Sequence, residues 1–243
     1  MRTLSLFAGI GGFDLGLEAT GHFETVAFCE IDPYCRAVLA KHWPGVPCYE
    51  DVRTLTVDQL GSIDAICGGF PCQDLSVAGK RAGIEGTRSG LYVEIMRLAA
   101  GLRPRLILLE NVPGIRSRGV GAVFRDLAAL GYHAFWDCVP ASALGACHQR
   151  DRWFCIAWLP ADAIGNVKPW EKPCRRPVGR VGRIEQPVAW DTDWQTALSI
   201  FRGLDDGLPR SVASTDAYRN AICPPWAEAV GWAAVEILQG LEK

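Results

Sequence analysis

From the first residue to about position 158, short apolar runs alternate with stretches whose apolar positions recur every three or four residues. TLSLF, ETVAFCE, DAICGGF and RLILLENV have the length and continuity of buried strands. YHAFWDCV and RWFCIAWL read as two closing strands. Between them, FDLGLEATG, PYCRAVLAKHW, LYVEIMRLAAGL and VFRDLAALG carry helical spacing. Strand–helix alternation with short connections predicts an α/β domain, a mostly parallel sheet with helices on both faces.

The pattern changes after Leu159. Residues 160–212 are rich in Pro, Gly, Arg and Trp and show little periodicity, which suggests a small irregular insert rather than a second full domain. Order returns in NAICPPWAEAVGWAAVEILQGL, where Pro224 and Pro225 stand in the first turn of an apolar helix. The expected organisation is a main unit over 1–158, a short insert over 159–212, and a segment over 213–243 that returns to the main unit.

Composition narrows the possibilities. Of 243 residues, 49% are hydrophobic, which argues against global disorder. No apolar run reaches the ~18 residues of a membrane span, and the MRTLSLFAGIGG start lacks the shape of a signal peptide. The ten cysteines are scattered, several within apolar runs, with no Cys-x-x-Cys pair. That reads as reduced thiols in a cytoplasmic protein, with no metal site of the usual spacing. The net charge of −2 does not announce a nucleic-acid partner. Locally, Lys168, Lys172, Arg175, Arg176, Arg180 and Arg183 face a single acid, Glu171, though alone such a cluster reads as a solvated basic face.

Ligands of open parallel sheets sit at the carboxyl ends of the strands, and four loops there carry chemistry. FAGIGG after the first strand lets the backbone pass close to a ligand. Glu30 ends the second strand, where an acid often binds ribose hydroxyls, although alone it reads equally as an exposed strand-end acid. Asp51 adds a second acid at that edge, and the three features together suggest an adenosine-containing cofactor. GGFPCQ places Cys72 in a glycine-lined turn rather than in a core. The following DLSVAGKRAGIEGTRSG holds Lys80, Arg81 and Arg88 among glycines, which suggests a movable loop that meets phosphates. LLENVPG ends an apolar run with Glu110, a costly place for an acid unless it is paired or protonated, and so a reasonable general acid. HQRDRW offers two arginines as partners.

The order FAGIGGF, Glu30, GGFPCQ, ENV, Arg-x-Arg and a late Asn-Ala-x-x-Pro-Pro resembles the DNA (cytosine-5) methyltransferase family, in size most like its compact phage or prophage members. The resemblance implies the Rossmann-like fold of S-adenosylmethionine-dependent methyltransferases, with the insert as target-recognition region. It implies that Phe7, Gly9, Gly11 and Glu30 line the cofactor site, with Ile31 against the adenine. Asp51 would meet the adenine edge, aided by Pro71, Leu91, Asn220 and Ala221. Cys72 would attack carbon 6 of a flipped-out cytosine, Glu110 would contact ring nitrogen 3, and Arg150 and Arg152 would orient the base. Lys80, Arg81, Arg88, Arg175, Arg176, Arg180 and Arg183 would contact double-stranded DNA, with the protein acting as a monomer. The chain departs from the family pattern at Ser5, where aspartate is common, at His148, where glutamine is usual, and at Tyr218-Arg219. Two other readings share most of these motifs: a tRNA cytosine-5 methyltransferase and a non-catalytic DNA-binding relative. A nicotinamide-dependent dehydrogenase would share the glycine turn and the strand-end acid but leaves Pro71-Cys72 and the Arg-x-Arg pair unexplained.

Overall fold

The computed structural model of the chain describes residues 1–71, 90–144, 150–160 and 221–241. Its centre is a seven-stranded sheet in the order β3-β2-β1-β4-β5-β7-β6. The strands are β1 (Arg2–Leu6), β2 (Glu24–Cys29), β3 (Cys48–Tyr49), β4 (Ala65–Gly69), β5 (Leu106–Asn111), β6 (His133–Pro140) and β7 (Asp151–Trp158). The first five are parallel, and β7 and β6 close the sheet antiparallel to β5 and to each other. The helices are α1 (Gly12–Ala19), α2 (Pro33–His42), α3 (Leu91–Leu102), the single turn α4 (Ile115–Arg118), α5 (Val120–Ala129) and α6 (Pro224–Leu241).

The sheet alternates its side chains between two cores, so β5 can be apolar without a break. Ile107 and Leu109 face one core with Leu4, Leu6 and Ile66, under Ile95 and Leu98 of α3 and Val123 and Leu127 of α5. Leu106 and Leu108 face the other with Cys67 and Phe154, under Phe13 and Leu17 of α1 and Trp226, Val230 and Ile237 of α6. The fold class expected from the pattern is therefore the one observed, and the strand boundaries agree within one or two residues. Four short elements among the described residues escaped the pattern: β3, the turn α4, and the 3-10 turns Val57–Gln59 and Ala141–Leu144.

Strand order reverses on either side of β1, since β2 leaves it in one direction and β4 in the other. Such a switch point opens a crevice at the carboxyl ends of the strands. The ends of β1, β2, β4 and β5 all point to that edge.

Candidate active site

The turn after β1 is held in a conformation that few residues tolerate. Phe7, Gly9 and Gly11 all have positive φ, at 55°, 55° and 84°. The Phe7 amide donates to the Cys29 carbonyl at 2.9 Å, and the Gly9 amide donates to Glu30 Oε2 at 2.7 Å. Gly11 must lack a side chain, because a Cβ there would lie 2.5 Å from the Trp43 ring. Trp43 is fixed in turn by its indole N–H, which donates to both oxygens of Glu18 at 3.1 and 3.0 Å. Below the turn, Gly12 and Gly16 let α6 come close: their Cβ atoms would meet the Ile222 and Pro224 carbonyl oxygens at 2.0 and 2.2 Å. Above it, a Cβ at Gly9 would meet nothing within 4 Å among the described residues.

Glu30 is buried at the end of β2 and accepts from two backbone amides, Gly9 and Asp32, the latter at 2.8 Å. Its carboxylate thus ties the glycine turn to the start of α2. Asp32 caps that helix by accepting from the Tyr34 and Cys35 amides, with Pro33 as its first residue. Ile31 between them is 63% exposed, which is unusual for a large apolar side chain beside a buried strand end. Asp51, past β3, is gripped by Arg53: its oxygens accept from the Arg53 amide at 2.9 Å and from Nε and Nη2 at 2.6–3.0 Å. Those bonds pull the Asp51 carboxyl down to about 2.

Across the switch point, β5 delivers Glu110 and Asn111 to opposite faces. Asn111 is buried and donates to the Phe70 carbonyl at 2.9 Å, so it fixes the strand end that leads into Pro71. Glu110 points the other way. Arg152 on β7 donates to Glu110 Oε1 at 2.9 Å, and a Cβ at Gly69 would lie 2.6 Å from Glu110 Oε2. Burial pushes the Glu110 carboxyl up to about 7, although the charges of Arg152 and Arg150 pull the other way. Arg150 lies over the Trp226 ring, its carbon 5.9 Å from the ring centre, and donates to the Ala221 carbonyl at 3.4 Å. Burial, and then the neighbouring Arg152 charge, lower its pKa.

The structure thus gathers Phe7, Gly9, Gly11, Glu30, Ile31 and Asp51 along one part of the edge, and Pro71, Glu110, Arg150, Arg152 and Ala221 along the other, with Leu91 opening α3. Cys72, Lys80, Arg81, Arg88, His148, Tyr218, Arg219 and Asn220 lie outside the described residues, as do Arg175, Arg176, Arg180 and Arg183 of the insert. Among the described residues no group of His, Cys, Asp and Glu is placed to hold a metal, and no helix is long and apolar enough to cross a membrane.

Ser5 has a clear structural partner. Its hydroxyl donates to Asp14 Oδ2 at 2.9 Å, and Thr25 donates to Asp14 Oδ1 at 3.0 Å, deep under the glycine turn. The buried carboxylate at this spot comes from α1 rather than from β1. Sequence reasoning passed over Asp14 and Trp43, because each acts on a residue far away in the chain.

An open α/β sheet with a strained glycine turn, a strand-end acid and a buried carboxylate–guanidinium pair defines a Rossmann-like scaffold with its candidate site at the switch point. Comparison with known proteins identifies the family: the pattern of the C-5 cytosine-specific DNA methylases matches residues 1–195, and the chain belongs to that family. It is 41% identical over 175 residues to the type II methyltransferase M2.BsuMI of Bacillus subtilis (strain 168), covering 68% of this chain and 44% of that one. It is 37% identical over 187 residues to the type II methyltransferase M.CviJI of Paramecium bursaria Chlorella virus IL3A, covering 72% and 50%. A solved structure encoded within an Escherichia coli prophage superposes with a TM-score of 0.54 at 30% identity, covering 65% of this chain and 47% of that one. The chain spans about half the length of these relatives.

Proposed function

We propose that the chain methylates carbon 5 of a flipped-out cytosine in double-stranded DNA, with S-adenosylmethionine as donor and Cys72 as nucleophile. The observation that carries the reading is the buried Glu110–Arg152 pair against Gly69, three residues before Cys72. A carboxyl held near pKa 7 beside a strand end that leads to a thiol is suited to proton exchange with a bound base.

The cofactor side fits an adenosine-containing group. Among the described residues nothing crowds Gly9, Glu30 stands beneath the turn, and Ile31 offers an exposed apolar face. Phe7, Gly9, Gly11 and Glu30 would hold the group, with Ile31 and Asp51 at its base and Pro71, Leu91, Asn220 and Ala221 alongside. Bound there, S-adenosylmethionine supplies an electrophilic methyl on a sulfonium.

Cys72 as thiolate adds to carbon 6 of the cytosine and makes carbon 5 nucleophilic. Glu110 shares its proton with ring nitrogen 3, which lowers the cost of that addition. Arg152 keeps Glu110 in place, and Arg150 flanks the base. Once carbon 5 has gained the methyl, its proton passes to solvent, the electron pair it leaves restores the carbon 5–carbon 6 double bond as the Cys72–carbon 6 bond breaks, and the Cys72 thiolate and the Glu110 proton are regained. Extrusion of the base costs a few kcal/mol of unstacking. Lys80, Arg81, Arg88 and the insert arginines Arg175, Arg176, Arg180 and Arg183 meet this cost through phosphate and groove contacts, so binding should weaken with salt.

Fluorine at carbon 5 of the target removes the abstractable proton. Wild-type protein with cofactor and fluorocytosine duplex should then give a covalent band on a denaturing gel, and Cys72→Ser should give none. Trapping by Glu110→Gln should be slower by roughly 10²–10⁴-fold, the usual scale of acid–base assistance. A band from Cys72→Ser would overturn the mechanism, and trapping on tRNA but not on duplex DNA would overturn the substrate.

A further inference from the structure

Asp51 follows β3, which is only two residues long and, among the described residues, pairs with β2 alone at the edge of the sheet. Beyond it, the apolar side chains of Val52 and Leu55 are buried in the core, but the polar turn that carries Asp51 stands outside the sheet. The chain then turns sharply: the Thr54 amide and hydroxyl donate to the Asp51 carbonyl at 3.1 and 3.0 Å, and the Leu55 amide donates to the Val52 carbonyl at 3.3 Å. Arg53 grips the Asp51 carboxylate, but it belongs to the same turn and cannot fix the turn's position.

A polar brace from outside the turn comes from α3. Arg97 Nη2 donates to the Val52 carbonyl at 2.9 Å and to the Leu55 carbonyl at 2.8 Å. That nitrogen has two N–H bonds, and each has its own carbonyl. Arg97 Nε donates to Glu94 Oε2 one helical turn earlier, which holds the guanidinium plane. The same helix begins at Leu91, directly after the segment that carries Cys72. One planar cation therefore ties the turn bearing Asp51 to the helix that follows the segment carrying Cys72.

We propose that Arg97 is the positioning residue that sets Asp51 against the purine, and so enforces selection of a 6-amino over a 6-oxo base in the cofactor. The proposal rests on Asp51 being the acid at the adenine edge. A carboxylate can accept from a 6-amino group and repels a 6-oxo group, and this preference depends on where the carboxylate sits.

The test measures binding by full-length protein of S-adenosylhomocysteine and of its inosine counterpart, which carries oxygen in place of the 6-amino group. Wild type should prefer the amino form. Arg97→Met should weaken binding of the amino form about tenfold and that of the oxo form far less, so the preference shrinks. Arg97→Lys, which keeps the charge and can reach one carbonyl, should fall between. The Lys variant decides the matter if the Met variant does not fold. Equal weakening of both ligands, or an unchanged preference in the Lys variant when the Met variant cannot be measured, would reduce Arg97 to a structural residue and overturn the proposal. Asp51→Asn separates the two levels. If it leaves the preference intact, the reading of Asp51 itself fails. If it abolishes the preference while Arg97→Met does not, only the role of Arg97 fails.

Discussion

The buried Asp14 carboxyl gives the fold a pH dependence that one substitution should take away. Burial pushes its pKa from 3.8 up to about 7, the hydroxyls of Ser5 and Thr25 hold it back, and the Glu18 charge adds to the rise. Between those two values the native state keeps a proton that the unfolded chain has lost. The stability that this proton contributes is therefore full below pH 3.8 and is lost as pH rises from there through about 7. At about 1.4 kcal/mol per unit the whole effect is of order 4 kcal/mol, of which about 2–3 kcal/mol falls between pH 5 and pH 8. Asparagine has nearly the same shape, can accept from Thr25 and donate to Ser5, and does not titrate. Urea unfolding of wild type and Asp14→Asn, at pH 5 and at pH 8, isolates this group, since Glu110 and the other titrating residues cancel in the difference. The variant should gain on wild type by about 2–3 kcal/mol between the two conditions. A difference that is the same at both pH values would refute a native-state proton on Asp14.

Two further outcomes follow from the site. Arg152→Met leaves Glu110 buried without its ion pair, so the variant should lose about 3–5 kcal/mol of stability at pH 8.5. It should lose much less at pH 6, where Glu110 can take up a proton, and urea unfolding at the two values checks this. Gly11→Ala forces a Cβ into the Trp43 ring at φ 84°, so it should lower stability by about 1–3 kcal/mol and weaken S-adenosylhomocysteine binding in calorimetry.

Much of the site was legible because the motif residues sit where strands end, and strand ends follow from apolar runs. LILLEN reads as a buried strand from its own letters, and the acid at its end stands out against them. Cys48–Tyr49 did not, since two residues carry no period and the pairing of β3 with β2 is a tertiary fact. The glycines of FAGIGG were assigned to ligand approach, yet Gly12, like Gly16 in the helix beyond it, serves a different end, the close approach of α6. Amphipathic patterning says that α1 has an apolar face, not which helix will cover it. For the same reason the links from Ser5 to Asp14, Trp43 to Glu18 and Arg97 to Val52 were invisible, because each joins residues whose spacing no local pattern encodes.

The seating of α6 on α1 also fixes an order of assembly. The contact joins residues 12–19 to residues more than 200 positions later, and closing so long a loop is slow relative to pairing neighbouring strands. Strands β1, β2 and β4 can find one another while Phe13 and Leu17 still lack their cover and Gly12 faces no Ile222 carbonyl. During synthesis, a turn made well before α6 is thus among the last to be completed. Until α6 docks, the folding chain presents an apolar strip on α1 that chaperones or other chains can bind.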